Sequence, residues 1–167
     1  MKKMFVVTVI FLAGFVFVSQ SFGDCKRTGI GYLKIYYDYK EKGKENYRKN
    51  SVFGEVISAQ GKYGNSCTPV RIKKAKNRAA DEIQKIAKRK YEGKAEVQQN
   101  ALCKKIPNNI KQIAQYFQID FIEVNVYHKN TNSKFNPFSN SGHIIKSFRI
   151  PAANSAKFIC KWDTPWA

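Results

Sequence analysis

Residues 75–91 read AKNRAADEIQKIAKRKY and carry the clearest helical pattern in the chain. Apolar side chains recur in this stretch at spacings of three and four, which places them on one side of a helix, and Gly93 follows as a stop. The apolar positions are Ala75, Ala79, Ile83, Ile86, Ala87 and Tyr91. We therefore predict an amphipathic helix that buries this stripe against a second layer of structure.

The segments on the N-terminal side of this helix have the pattern of strands. Residues 30–39 (IGYLKIYYDY) are rich in β-branched and aromatic residues, and residues 51–62 offer a second apolar face with alternating spacing. The polar run 40–50 between them contains Gly43 and predicts a loop. Two strands are therefore expected before the helix.

The C-terminal side adds shorter helices and further strands. Residues 95–104 predict a second helix, and a third is expected to begin near Pro107, because proline suits the first helical turn. The apolar side of this third helix consists of Ile110, Ile113, Ala114 and Phe117. Strand-like alternation then covers 121–128, 143–150 and 156–162, with a long polar loop at 129–142. This order predicts an α+β fold: an antiparallel sheet of about five strands with two or three helices packed on one face.

The N-terminus has the features of a secretory signal peptide. Lys2 and Lys3 precede an apolar run at residues 5–18, and Ser21 and Gly23 are small residues suited to cleavage after Gly23. One alternative is an uncleaved membrane anchor, which would need a longer apolar run. The other is a lipoprotein, which would need a small residue directly before Cys25, where this chain has Asp24. We predict that residues 1–23 are removed and that residues 24–167 form a single mature domain without a transmembrane segment, secreted or periplasmic.

The four cysteines are expected to form disulfides in such an oxidising compartment. Their spacing contains no C-x-x-C pair, which disfavours both a zinc site and a thioredoxin-like motif. Four cysteines allow three pairings. We favour Cys25 with Cys160, which would tie the termini, and Cys67 with Cys103, which would bracket the main helix.

Positive charge is the strongest functional signal. The chain has 30 Lys and Arg residues against 12 Asp and Glu, and the mature part keeps 28 of the basic residues, a net charge of +16. This exceeds the magnitude of about 2 to 8 that solubility alone favours in a small domain. Residues 71–94 alone contain ten basic and three acidic residues. The anion-binding candidates on the helix are Lys74, Arg78, Lys85, Lys88 and Arg89.

These charges predict a binding protein rather than an enzyme, because a dense cationic face attracts polyanions by releasing their counterions. The expected partner is an anionic polymer or an acidic protein surface: an envelope polymer, a glycan, a nucleic acid or an acidic protein of the envelope or of a host cell. The simpler alternative is a solvated helix face in a lysine-rich protein.

Sequence motifs for cofactors and common catalytic centres are missing from the chain. Gly29 and Gly31 form only a G-x-G, and Gly61 to Gly64 lacks the remainder of a P-loop, so we predict turns at both places. Neither a G-x-S-x-G nucleophile elbow nor an H-E-x-x-H zinc helix occurs. We therefore expect no cofactor and no metal.

The two histidines give one alternative function, a secreted ribonuclease-type toxin. His128 and His143 bracket the long loop and would act as general base and general acid, with Lys146 stabilising the developing negative charge. Strand parity argues against this arrangement. His128 shares the parity of the apolar residues of its strand, whereas His143 has the parity opposite to those of its own. Two ordinary histidines at strand ends are the competing interpretation.

Aromatic residues suggest a stacking surface on the first strand. Tyr32 and Tyr36 have the parity opposite to Leu33 and Ile35, and Lys34 lies between them. Such a strip can stack on nucleobases or sugars if it is exposed. Core packing, or a second covered face of the sheet, explains the same pattern.

Overall fold

The computed structural model describes residues 23–128, 144–153 and 157–160, so the predicted signal peptide lies almost wholly outside it. Within these ranges the chain forms four strands and three helices. In chain order they are β1 (Lys26–Glu41), β2 (Tyr47–Lys62), α1 (Pro69–Tyr91), α2 (Ala95–Lys105), α3 (Asn108–Ile113), β3 (Ala114–His128) and β4 (Ile144–Pro151).

The strands form one antiparallel sheet in the order β2-β1-β3-β4. This confirms the predicted α+β class, but the described sheet has four strands rather than about five. The segment predicted as the fifth strand is described only at residues 157–160, and among these Phe158 forms an isolated bridge to Phe117. Most of the predicted loop at 40–50 is instead strand, and residues 42–46 suffice for the hairpin, with Gly43 at φ 73°.

Helix α1 lies across one face of the sheet and contacts all four strands. The side chains beneath it come from alternate positions of the central strands, as the two-residue period of a strand requires. Leu33, Ile35 and Tyr37 of β1 are each 1% exposed. From β3 come Ile122, Val124 and Val126, all completely buried. Leu102 of α2 and Ile110 of α3 join the same core.

The predicted turn at Gly29 and Gly31 is wrong, because both residues lie within β1 under α1. A Cβ at Gly31 would lie 2.6 Å from Cγ2 of Ile83, and one at Gly29 would lie 3.1 Å from Cδ1 of the same side chain. These glycines let the helix approach the strand closely. A turn does follow β2, where Gly64 has φ 66°.

The predicted third helix extends too far toward the C-terminus, and β3 begins earlier than predicted. Helix α3 ends at Ile113, and Ala114 and Phe117 belong to β3. The apolar spacing here fits both structures, and pairing between strands determines the outcome. Phe117 lies opposite Tyr39 of β1 and exchanges two backbone hydrogen bonds with Phe158, of 2.9 and 3.0 Å.

The favoured disulfide pairing is wrong: the bonds join Cys25 to Cys67 and Cys103 to Cys160. The hairpin register gives the reason. Lys26 lies opposite Lys62, so Cys25 is beside the chain that leaves β2 and leads to Cys67, with Cα atoms 4.9 Å apart. Cys160 follows Phe158 at the other end of β1, about 45 Å away at the usual rise of a strand. Two disulfides are compatible with an oxidising, extracellular environment.

Candidate functional site

Helix α1 presents its basic residues on the side that faces away from the sheet. It begins earlier than the sequence predicts, because Thr68 caps it by accepting a hydrogen bond from the Arg71 amide at 3.4 Å and Pro69 occupies the first turn. Its buried side consists of Ala75, Ala79, Ala80, Ile83, Ala87 and Tyr91. The opposite side, here called the basic stripe, consists of Lys74, Arg78, Lys85, Lys88 and Arg89.

Little negative charge offsets the basic stripe. Lys85 lies 3.7 Å from Glu82 and Lys88 lies 3.7 Å from Glu92, both as exposed pairs of the kind that contributes about 0 to 1 kcal/mol. Among the described carboxylates, none forms an ion pair with Lys74, Arg78 or Arg89. Asp81 also lies on this side of α1, but its carboxylate is 2.8 Å from the Lys146 ammonium. The stripe therefore keeps a net positive charge.

The N-terminal end of the stripe is joined to the end of β2 through one tyrosine ring. The Lys74 ammonium donates a hydrogen bond to the Tyr63 hydroxyl at 2.9 Å, and Arg78 donates one to the Lys62 carbonyl at 2.9 Å. Both cations lie 4.7 Å from the centroid of the Tyr63 ring. We call Tyr63, Arg71, Lys74 and Arg78 the Tyr63 cluster.

The cluster changes the acidity of its tyrosine. The hydrogen bond and charge of Lys74, together with the charges of Arg78 and Arg71, lower the pKa of Tyr63 below 10.0. The hydrogen bond and the three positive charges all favour the ionised form of this half-buried phenol. The sequence shows the spacing of Lys74 and Arg78 by four residues, but only the tertiary structure brings Tyr63 between α1 and the end of β2.

Lys90 at the C-terminal end of α1 faces a different partner. Its ammonium lies 2.7 and 2.6 Å from the two carboxylate oxygens of Glu55 on β2, and the Tyr91 hydroxyl donates a hydrogen bond to the same carboxylate at 2.7 Å. Burial and Glu55 raise the pKa of Tyr91. Lys90 thus attaches α1 to the sheet rather than extending the basic stripe.

The residues of the ribonuclease hypothesis lie partly outside the described chain, since His143 falls there. His128 ends β3, where its Nδ1 lies 3.2 Å from the Thr28 carbonyl oxygen. Burial and the charges of Lys76 and Arg27 lower its pKa below 6.5. Lys146 lies opposite Val126 and its ammonium is 2.8 Å from the Asp81 carboxylate. The general acid–base role of the histidines stays a prediction.

The sheet face opposite α1 carries a second candidate site. The described residues that line a groove of about 390 Å³ belong to β1, β2 and β3. The aromatic groove, as we call it, includes Tyr32, Lys34, Tyr36, Phe53, Glu123 and Tyr127. The predicted Tyr32-Lys34-Tyr36 strip is therefore part of a surface groove, whereas Leu33 and Ile35 are buried beneath α1.

No group of three or more His, Cys, Asp or Glu side chains is arranged to hold a metal ion in the part of the chain that the structure describes. In the same residues, no helix has the length and apolar character needed to cross a bilayer.

Comparisons of the chain with protein-family models, curated proteins and solved structures found no match.

Proposed function

We propose that this chain is an exported protein that binds an anionic polymer or an acidic protein surface through the basic stripe of α1, without catalysing a reaction on it. The observation that carries the proposal is the position of the five cations on one outward side of α1, where Lys74, Arg78 and Arg89 form no ion pair with the described carboxylates. The helix backbone is already ordered, so binding costs the rotamer freedom of the five side chains but no further backbone entropy.

The Tyr63 cluster supports the same function. Lys74 and Arg78 lie against the half-buried Tyr63 ring and Arg71 adds a third positive charge nearby. These cations repel each other, so an anion that enters between them relieves this repulsion and displaces water at the same time. The cluster would then contribute more to binding than three separated lysines. The stripe continues from it to Lys88 and Arg89, near the end of a helix of 23 residues.

The test compares two variants with equal net charge. In the stripe variant, Lys74, Arg78, Lys85, Lys88 and Arg89 are all replaced by Gln, which keeps helix propensity. In the control variant, Gln replaces five exposed lysines elsewhere, namely Lys42, Lys49, Lys94, Lys104 and Lys105. Binding of fluorescently labelled single-stranded RNA and of heparin is measured over a range of salt concentrations.

We expect the native protein to bind both polyanions with an affinity that falls steeply as salt rises. If all five side chains meet RNA phosphates, the stripe variant loses about 3.5 from the slope of log K against log salt, at about 0.7 per contact. The control variant should keep most of the slope. Equal loss in both variants would refute a localised site, and shortened RNA on a denaturing gel would contradict binding without catalysis.

A further inference from the structure

The aromatic groove has the chemical composition of a carbohydrate site, and we propose that it binds an oligosaccharide. This site is independent of the proposed function, because α1 covers one face of the sheet and the groove lies on the other. Its volume of about 390 Å³ lies within the range of about 300 to 1,000 Å³ that is usual for small-ligand sites, and it fits a short stretch of sugar rings.

Aromatic side chains form both ends of the groove. At one end, the Tyr32 ring lies 5.6 Å from Tyr127 in an edge-to-face arrangement and 6.3 Å from Phe53. At the other end, Tyr36 stacks on Phe121 with ring centroids 4.6 Å apart. Tyr32 and Tyr36 are four residues apart on one strand, so the two ends are separated by about 13 Å. Arg149 lies 4.3 Å from the Phe121 ring centroid and Lys34 lies 5.2 Å from that of Tyr36. Phe53, which is 38% exposed, offers apolar surface to the C–H face of a sugar ring.

Hydrogen-bonding groups form the floor between these ends. In the sheet register Lys34 lies opposite Glu123, which in turn lies opposite Arg149, so one row of the floor is charged. The Asn125 amide donates a hydrogen bond to Glu123 at 3.1 Å, and the Arg149 side chain lies 3.6 Å from the same carboxylate. Carboxylate, amide and ammonium groups together can accept from and donate to the hydroxyls of a sugar.

The position of Glu123 favours a saccharide over a nucleic acid. Its carboxylate lies at the centre of the floor with a side chain 19% exposed, where it would repel a phosphate backbone. A sugar hydroxyl instead donates a hydrogen bond to it, and hydrogen bonds to charged groups are the stronger ones. Among the described lining residues, the charges of Lys34 and Glu123 balance, so the floor suits a saccharide better than a polyanion.

The test uses two saccharide probes, chitohexaose, which is uncharged, and a hyaluronan hexasaccharide, which carries carboxylates. Binding is followed by calorimetry and by amide chemical shifts of β1 and β3 in the native protein and in two variants. Glu123→Gln keeps the size of the side chain and removes its charge. Tyr36→Leu removes one aromatic end and serves if the first variant is misfolded.

We expect saturable binding of at least one hexasaccharide, shifts centred on Lys34 and Glu123, and affinity at least fivefold weaker in Glu123→Gln. The direction of the affinity change in Glu123→Gln separates two explanations. A groove that merely attracts anions would bind the hyaluronan probe more tightly once the Glu123 carboxylate is removed. That result would overturn the proposal, as would absence of binding by both probes, or protection of the same amides by a single-stranded RNA hexamer alone.

The two proposals fail separately. If the stripe variant loses polyanion binding while the native protein binds neither hexasaccharide, the groove inference is refuted and the proposed function stands. If a hexasaccharide binds with the expected dependence on Glu123 while the stripe variant keeps full polyanion binding, the groove inference is supported and the basic stripe is refuted.

Discussion

Gly61 of β2 and Ala75 of α1 are in direct backbone contact. A Cβ placed on Gly61 would lie well under 3.0 Å from the carbonyl oxygen of Ala75 and from the amide nitrogen of Ala79. Only a residue without a side chain can occupy this position, because neither backbone atom can rotate out of the way. The N-terminal half of α1, which carries Lys74 and Arg78, is held in place by this contact.

Gly61→Ala should therefore destabilise the protein strongly. Overpacking costs about 1 to 3 kcal/mol, and we expect the upper end of this range because the contact is with backbone. Gly54→Ala on the same strand is the matched control, since a Cβ there would meet its neighbours at an ordinary 3.4 Å. Urea denaturation measures both variants, and an equal loss of stability in the two would contradict the packing described for Gly61.

The disulfide pairing predicts which pairs of cysteines can be removed together. A variant with Cys103→Ala and Cys160→Ala should contain no free thiol and lose at most about 4 kcal/mol of stability, the chain-entropy value for a loop closed over 57 residues. A variant with Cys25→Ala and Cys160→Ala should expose two free thiols on denaturation. Thiol titration distinguishes the two, and the reverse result would restore the pairing favoured from the sequence.

His128 should make the stability depend on pH. Its pKa is lowered in the folded protein, mainly by burial and also by Lys76 and Arg27, despite the hydrogen bond to the Thr28 carbonyl. The unfolded chain therefore binds more protons near pH 6.5, and the stabilisation that is complete above this pH is lost as the pH falls through the lowered value.

His128→Gln should remove this part of the dependence. The free energy of unfolding, measured by urea denaturation between pH 5 and pH 8, should fall less steeply toward acid in the variant. His143 is present in both proteins, so the difference between them isolates His128. Parallel curves would show that the folded imidazole titrates as it does in the unfolded chain.

The Tyr63 cluster gives a spectroscopic prediction. Lys74→Gln removes the hydrogen bond that contributes most to the lowered pKa of Tyr63, so the pKa should rise toward 10.0. Lys85→Gln removes the same charge from the same helix without touching the ring and should shift it much less. NMR titration of the Tyr63 ring carbon measures both, and equal shifts would mean that the general charge of α1 causes the effect.

The sequence predicts a helix or strand correctly where its apolar residues fit the period of only one of the two structures. The α1 stripe at Ala75, Ala79, Ile83, Ala87 and Tyr91 is buried as its period requires. The apolar spacing at Ala114 and Phe117 fits both a helix and a strand. The helix prediction is wrong there because pairing with β1 outweighs local helix propensity. Gly29 and Gly31 were misjudged as turns, since the helix that requires them lies far away in the sequence.

Some features of the candidate sites follow from the sequence of a single helix or strand, and others depend on the tertiary structure. The sequence by itself determined the outward side of α1 and the parity of Tyr32 and Tyr36, because both follow from the repeat of a single element. Only the tertiary structure decided that Cys25 meets Cys67, that Tyr63 lies against Lys74, and that Glu123 lies opposite Lys34. Those relationships depend on strand register and on where α1 crosses the sheet, which are set by the packing of the whole core and by no local pattern.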